Sequence, residues 1–290
     1  MSEQRLVVVT GATGSQGGAV ARALLDAGHR VRAYVRNPDS AAAQELRAGE
    51  AELAAGGFDD PDALASALTG ADLVYIMGTP WEEGASGEQR QVRSVLAAAR
   101  AAEVGHIIYS SSANADRNTG IDWYDAKYEL ECDVRAGSEQ NWTIVAPAVF
   151  MQIVRAEHAL QGLRAGVLTM AISGDHELTW IDLCDLGAFV AHVVDDPTLW
   201  RGKRIDLASQ TLSPVEVAAV LSEAIGSTIR FQQIPLHTLA QFNTDIAQMY
   251  EWFDRVGMSV DVAGLHARTP SIAWTSFADW AHAQDWSVLA

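Results

Sequence analysis

The feature that most constrains this chain is a β-branched run, Arg5-Leu6-Val7-Val8-Val9-Thr10, that passes at once into Gly11-Ala12-Thr13-Gly14-Ser15-Gln16-Gly17. Helical periodicity begins directly afterwards at Gly18 and continues to Asp26. A buried strand, a tight glycine turn and a helix N-terminus in that order make an anion site, because unpaired helix N–H groups and the positive end of the helix dipole face one point. The fitting ligand is a dinucleotide pyrophosphate. Gly11 permits the turn, Gly14 lets backbone approach phosphate, and Gly17 lets the helix pack close to the strand. Thr13, Ser15 and Gln16 fill the same turn and complete the expected phosphate site. A plain tight turn is the ordinary alternative, and a second strand over residues 30–35, at the βαβ distance, argues against it.

Strand-like runs near residues 5–10, 30–35, 51–55, 72–77, 106–110 and 142–146 alternate with helical segments near 16–27, 39–48, 61–69, 86–104 and 123–137. This alternation predicts an α/β fold, a doubly wound parallel sheet with helices on both faces. Ligands then sit outside the carboxyl ends of the strands. After Pro147 the rhythm breaks. Helices near 150–164 and 183–195, a short apolar stretch over 166–171, strands near 203–208 and 228–234, and a helix capped by Ser213 with Pro214 in its first turn follow. The last sixty residues read as helices and loops, with a capped helix at Ser276. The expected organisation is a dinucleotide-binding domain over 1–150 and a smaller, mainly helical substrate or partner region over 151–290, with 181–208 packing back onto the first and a cleft between the two. Trp252, Trp274, Trp280 and Trp286 fall in the tail, most of them expected in the core.

Composition narrows the function classes. A net charge of −17 repels phosphate backbones, and the absence of a Lys/Arg cluster excludes a local exception, so direct nucleic-acid binding is not expected. Cys132 and Cys184 are far apart and in no ligand spacing, which argues against a disulfide framework or a zinc site. No run approaches the roughly 20 apolar residues of a membrane helix, and the first residues lead into a strand rather than a signal peptide. A soluble, cytoplasmic protein is expected.

Cofactor choice rests on the end of the second strand. A protein selecting NAD places an acid there to hold the ribose 2′-hydroxyl; this chain has Arg36. A guanidinium suits a 2′-phosphate by bidentate pairing, so NADP(H) is expected over NAD, the alternative being a solvated loop arginine. Asp59 is placed to accept from the adenine amino group, while Asp60 before Pro61 reads as a helix cap. Small residues at Gly78 and Thr79 let the cofactor backbone lie across the sheet edge.

The pattern Thr10-Gly-Ala-Thr-Gly-Ser-Gln-Gly-Gly18, then Arg36-Asn37-Pro38, Trp81-Glu82-Glu83 with Glu88-Gln89, Ile108-Tyr-Ser-Ser-Ser112 and Lys127 on a helix resembles the NmrA-like group of atypical short-chain dehydrogenases/reductases, in its HSCARG-like branch. Trp180-Ile181-Asp182 and Asp185-Leu186-Gly187 extend the likeness, which is loose over the last sixty residues. The resemblance implies a Rossmann-type fold binding NADP(H), in a group divided between true reductases and cofactor-sensing regulators.

The chain departs from that pattern where chemistry is done. Typical short-chain dehydrogenases carry a tyrosine acid four residues before the lysine; here that position is Trp123. Tyr124, about 60° round the helix from Lys127, can present its hydroxyl to the same cleft. In isoflavone-reductase-like relatives the lysine itself donates the proton, which for Lys127 requires burial to lower its pKa. Ser111 or Ser112 can hydrogen-bond a substrate carbonyl, with Ser112 the choice. Pro147 fits a wall beside the nicotinamide, but Ala146-Pro147 and Gln152-Ile153 replace the group's usual Arg-Pro and acidic-amide pairs. The expectation is an NADPH-dependent reductase of a small carbonyl, quinone or conjugated substrate, with Lys127 primary and Tyr124 and Ser112 secondary. The alternative is a non-catalytic NADPH/NADP sensor acting on a regulatory protein partner.

Overall fold

A computed structural model describes residues 3–137 and 141–289. The chain divides into two compact units. One holds the chain up to Asn118 with Asp122–Ala146 and Leu186–Ile205; the other holds Thr119–Ile121, Pro147–Asp185 and the chain from Asp206 onward.

The first unit is built on β1 (Leu6–Thr10), α1 (Ser15–Asp26), β2 (Arg30–Val35), α2 (Ala41–Ala48), β3 (Glu52–Ala55) and α3 (Pro61–Leu68). The chain continues through β4 (Leu73–Ile76), α4 (Pro80–Ala101), β5 (His106–Ser110), α5 (Asp122–Arg135) and β6 (Trp142–Pro147). Further on come β7 (Val149–Phe150), α6 (Glu157–Arg164), β8 (Val167–Met170), β9 (Leu178–Ile181), α7 (Leu183–Asp195), α8 (Pro197–Trp200) and β10 (Lys203–Leu207).

Strands β1 to β6 and β10 form a seven-stranded sheet in the order β10-β6-β5-β4-β1-β2-β3. From β3 to β6 every neighbouring pair is parallel. This is the doubly wound, Rossmann-like α/β architecture expected from the alternation of strands and helices. β1, β4 and β5 are buried along their whole length, which is why they read as continuous apolar runs rather than alternating ones. Val8, Val74, Ile76, Val92, Leu96, Tyr109 and Ile144 join one core layer between sheet and helices. The strand order reverses at β1, which lies between β4 and β2; the crevice beyond its carboxyl end is the topological switch point.

Three expectations are corrected. α4 begins at Pro80, not near 86: Pro80 sits in its first turn, and Gly84 (φ 71°, ψ −175°) breaks the helix between that turn and the rest. A proline start and a glycine break hide the first turn from a periodicity reading. The segment near 150–164 is a 3₁₀ turn, Met151–Arg155, followed by α6. The second unit also carries sheet the sequence reading missed, with β7, β9 and β11 (Gln210–Leu212) in the order β11-β9-β7. Strands of two to four residues are too short to display a period.

α9 (Pro214–Ile225) starts on a full capping box between Ser213 and Glu216, and β12 (Arg230–Gln233) pairs in parallel with β8. Among the described residues of the tail, Trp252 and Trp280 are buried, and Trp280 packs on Phe277 and Trp286. In the same unit the Trp180-Ile181-Asp182 and Asp185 segment forms a polar knot. Gln152 donates to Asp182, while Asp185 accepts from the Ser209 hydroxyl and from the backbone N–H and hydroxyl of Thr275. Burial raises the Asp185 carboxyl above its usual range, and the Ser209 and Thr275 hydrogen bonds oppose that rise. Among the described residues Cys132 and Cys184 form no disulfide, and both are exposed on helices. Among the described residues no helix is long and apolar enough to cross a membrane.

Candidate functional site

A cavity of about 240 Å³ opens at the carboxyl ends of β1, β2 and β4. Gly11, Thr13 and Gly14 form one side, Arg36 and Phe58 another, and Met77, Thr79 and Glu82 a third. The glycine turn is built for this position. Gly11 has φ +64°, a conformation that L side chains rarely adopt, and a Cβ there would stand 2.8 Å from Met77 Sδ. Gly17 faces the strand end so closely that a Cβ would lie 2.3 Å from the Gly11 carbonyl oxygen. α1 is preceded by Gly14 at its N-cap, with no side-chain cap and no acidic residue in its first turn. Its N–H groups and dipole are therefore left for an anion.

Neighbouring strands are tied to the turn by side chains. The Thr10 hydroxyl accepts from the Met77 N–H at 2.9 Å and donates to the Met77 carbonyl at 3.0 Å. The Gln16 amide donates to the Tyr75 hydroxyl at 2.7 Å and to Ser110 Oγ at 2.6 Å. Gln16 thus braces the turn against β4 and β5; with Ser15 and Gly17 it lies outside the cavity lining. Burial pushes the Tyr75 hydroxyl up to about 12, so it stays protonated beside Gln16.

At the second strand, Arg36 is not a free guanidinium. Its Nη1 and Nη2 donate to the two carboxylate oxygens of Glu82, both at 2.8 Å. Tyr34 runs beneath this end of the cavity and donates to the Gly57 carbonyl at 2.7 Å. Burial first, then Asp60 and Asp59, pushes its hydroxyl up to about 12. Asp60 caps α3 through the Ala63 N–H, as its place before Pro61 predicts. Asp59 is exposed and outside the lining, where Phe58 stands instead. Thr79 does line the cavity, its N–H and hydroxyl both donating to Gln91 Oε1 at 2.9 Å.

The residues singled out for chemistry lie in the same unit but outside that lining. Lys127 is buried on α5, and its Nζ lies 2.6 Å from Glu88 Oε1, whose side chain has no exposed surface. An unpaired lysine desolvated by burial, the condition for a lone proton donor, is therefore not what the fold provides. Tyr124 is buried too, and its hydroxyl is hydrogen-bonded to Ser112; burial raises it far above its ordinary value. Trp123, at the position of the usual acid, packs its ring 4.1 Å from that of Tyr124 and 6.0 Å from that of Trp81. Pro147 is buried at the end of β6.

A third group was not foreseen. Glu131, fully buried on α5, accepts from Ser111 Oγ at 2.6 Å, from Arg135 at 2.6 Å and from Arg204 Nε at 3.0 Å. Arg204 also donates to the Ser112 carbonyl at 3.1 Å, which fixes the serine segment that follows β5. The Glu131–Arg135 spacing of four on a helix was a readable signal; the 73-residue separation from Arg204 was not.

Fold and site together define a Rossmann-type protein with a dinucleotide-style glycine turn at the switch point of its sheet. The chain belongs to the NmrA-like family, which matches residues 3–285. It is 32% identical over 241 residues to an NAD(P)H azoreductase of Xenophilus azovorans, covering 82% of this chain and 80% of that protein. Its fold is similar to NmrA, a negative transcriptional regulator solved in complex with NADP (TM-score 0.80, 22% identity, 97% of this chain and 95% of that one). It is also similar to Citrobacter sp. triphenylmethane reductase complexed with NADP(H) (TM-score 0.79, 21% identity, 96% of this chain and 98% of that one).

Proposed function

We propose that this protein is an NADPH-dependent oxidoreductase acting on a small carbonyl, quinone or conjugated acceptor. The observation that carries the reading is the cavity at the switch point, with an open helix N-terminus on one side and Arg36 at the end of the second strand on the other. Gly11, Thr13 and Gly14 hold the pyrophosphate, Arg36 the 2′-phosphate, and Phe58 and Thr79 bound the adenosine and the cofactor backbone. When bound, the nicotinamide supplies hydride. The chain's own part is electrostatic and positional: Glu88 fixes the Lys127 ammonium, while Tyr124 and Ser112 share a hydroxyl pair that can donate to a substrate oxygen. The likeness to an azoreductase and to a dye reductase supports a conjugated acceptor.

The test is titration with NADPH and NADH, followed by NADPH oxidation on a panel of azo dyes, quinones, aldehydes and enones. Preferential NADPH binding and turnover of at least one acceptor are expected; failure to bind either nucleotide overturns the reading.

A second reading, a cofactor-responsive regulator, is favoured by one observation: the position of the usual acid holds Trp123, and the neighbouring Tyr124 is buried. It requires that cofactor bind two states of the protein unequally. Equal oligomeric state and equal partner capture with and without NADP(H) remove it.

A further inference from the structure

The guanidinium placed to read the extra phosphate already has an occupant. Glu82 fills both Nη positions of Arg36 in a fork-to-fork pair at 2.8 Å and 2.8 Å, and both residues line the cavity. We infer that Glu82 is a cofactor-specificity residue: an internal competitor that a 2′-phosphate displaces from Arg36 and an unphosphorylated ribose does not. This deepens the NADP(H) reading above and rests on it.

Three observations carry the inference. First, Glu82 holds the Nη1–Nη2 fork of the guanidinium, and the other fork, Nε–Nη2, shares Nη2 with it, so a phosphate pairing bidentately by either fork must take at least one contact from Glu82. Second, the pair is displaceable. The side chains are 68% and 45% exposed, and a pair so exposed to solvent is weakly held. A dianionic phosphate outcompetes a single carboxylate at such a site, whereas a neutral 2′-hydroxyl lacks the charge to do so. Third, the competitor has room to leave. Glu82 lies in the single turn between Pro80 and the break at Gly84, so it can swing without unwinding the remainder of α4. Its neighbour Glu83 is held elsewhere, by Arg90 at 3.0 Å.

Two consequences follow. The device acts on the phosphorylated nucleotide alone, tempering the preference that Arg36 confers, and it is blind to redox state, because NADP and NADPH carry the same 2′-phosphate.

The experiment is calorimetric titration of the full chain with 2′,5′-ADP and with 5′-ADP, which carry the discriminating group but no nicotinamide. Glu82→Gln is expected to tighten 2′,5′-ADP about fivefold and to leave 5′-ADP unchanged. Glu83→Gln removes the same charge one residue away and is expected to change neither. If wild-type protein binds neither probe, the nucleotide reading itself fails. If wild-type protein binds 2′,5′-ADP but Glu82→Gln binds it no more tightly, or Glu83→Gln tightens it equally, the competitor role is overturned while the nucleotide reading stands.

Discussion

Lys127 Nζ meets Glu88 Oε1 at 2.6 Å inside the first unit, joining α5 to α4 across 39 residues of sequence. The second oxygen of Glu88 is buried with no protein partner, so the lysine is its main compensation. Truncating one member leaves an uncompensated charge in the interior.

Lys127→Ala is therefore expected to lose about 3–5 kcal/mol of stability as well as activity. The pair Lys127→Met with Glu88→Leu, which removes both charges, is expected to recover most of that stability and none of the turnover. Urea denaturation of the two single variants and the double variant measures the coupling, and steady-state NADPH oxidation measures the rest.

Gly17→Ala places a methyl 2.3 Å from the Gly11 carbonyl oxygen and 2.8 Å from that of Thr10. Both are backbone atoms, so α1 must shift away from β1. A loss of about 1–3 kcal/mol is expected, with NADPH affinity weakened about tenfold or more. Thermal melts and nucleotide titration separate the two effects.

His106 sets a pH dependence of stability. Burial, reinforced by Arg201 and Arg5, lowers its pKa from 6.5 to about 4. Its Nε2 lies 2.8 Å from Thr143 Oγ1, and its Nδ1 is buried without a partner. Between those two values the unfolded chain takes up a proton that the folded chain refuses, so stability falls as pH falls. About 2 kcal/mol is expected to disappear between pH 7 and pH 5. His106→Gln is expected to flatten that slope in denaturation curves run at the two pH values.

Glu131→Gln unbalances the knot that receives Arg204, Arg135 and Ser111. A cost of about 3–5 kcal/mol is expected, because two guanidinium groups lose their shared carboxylate. Arg204 also holds the Ser112 carbonyl, so turnover is expected to fall further than cofactor affinity. Comparing kcat with the NADPH dissociation constant checks this.

Much of the first unit was legible because its rules are local. The six strands of the alternating half show as short apolar runs and the five helices between them by helical periodicity, while Asp60, Ser213 and Ser276 mark helix starts by capping chemistry. The short strands β7, β9 and β11 were not legible, since two to four residues contain too little pattern to register. The start of α4 was masked by Gly84, whose non-helical backbone separates the Pro80 turn from the periodic remainder of the helix.

The candidate site divides the same way. From sequence alone came the glycine turn, whose geometry depends only on neighbouring φ and ψ values, and the location of Arg36 at a strand end. Tertiary structure alone decided which charges meet: Arg36 with Glu82, Lys127 with Glu88 and Arg204 with Glu131 are separated by 46, 39 and 73 residues. Backbone preferences act over a few residues, whereas the partner of a buried or bidentate charge is chosen by how distant helices and strands pack.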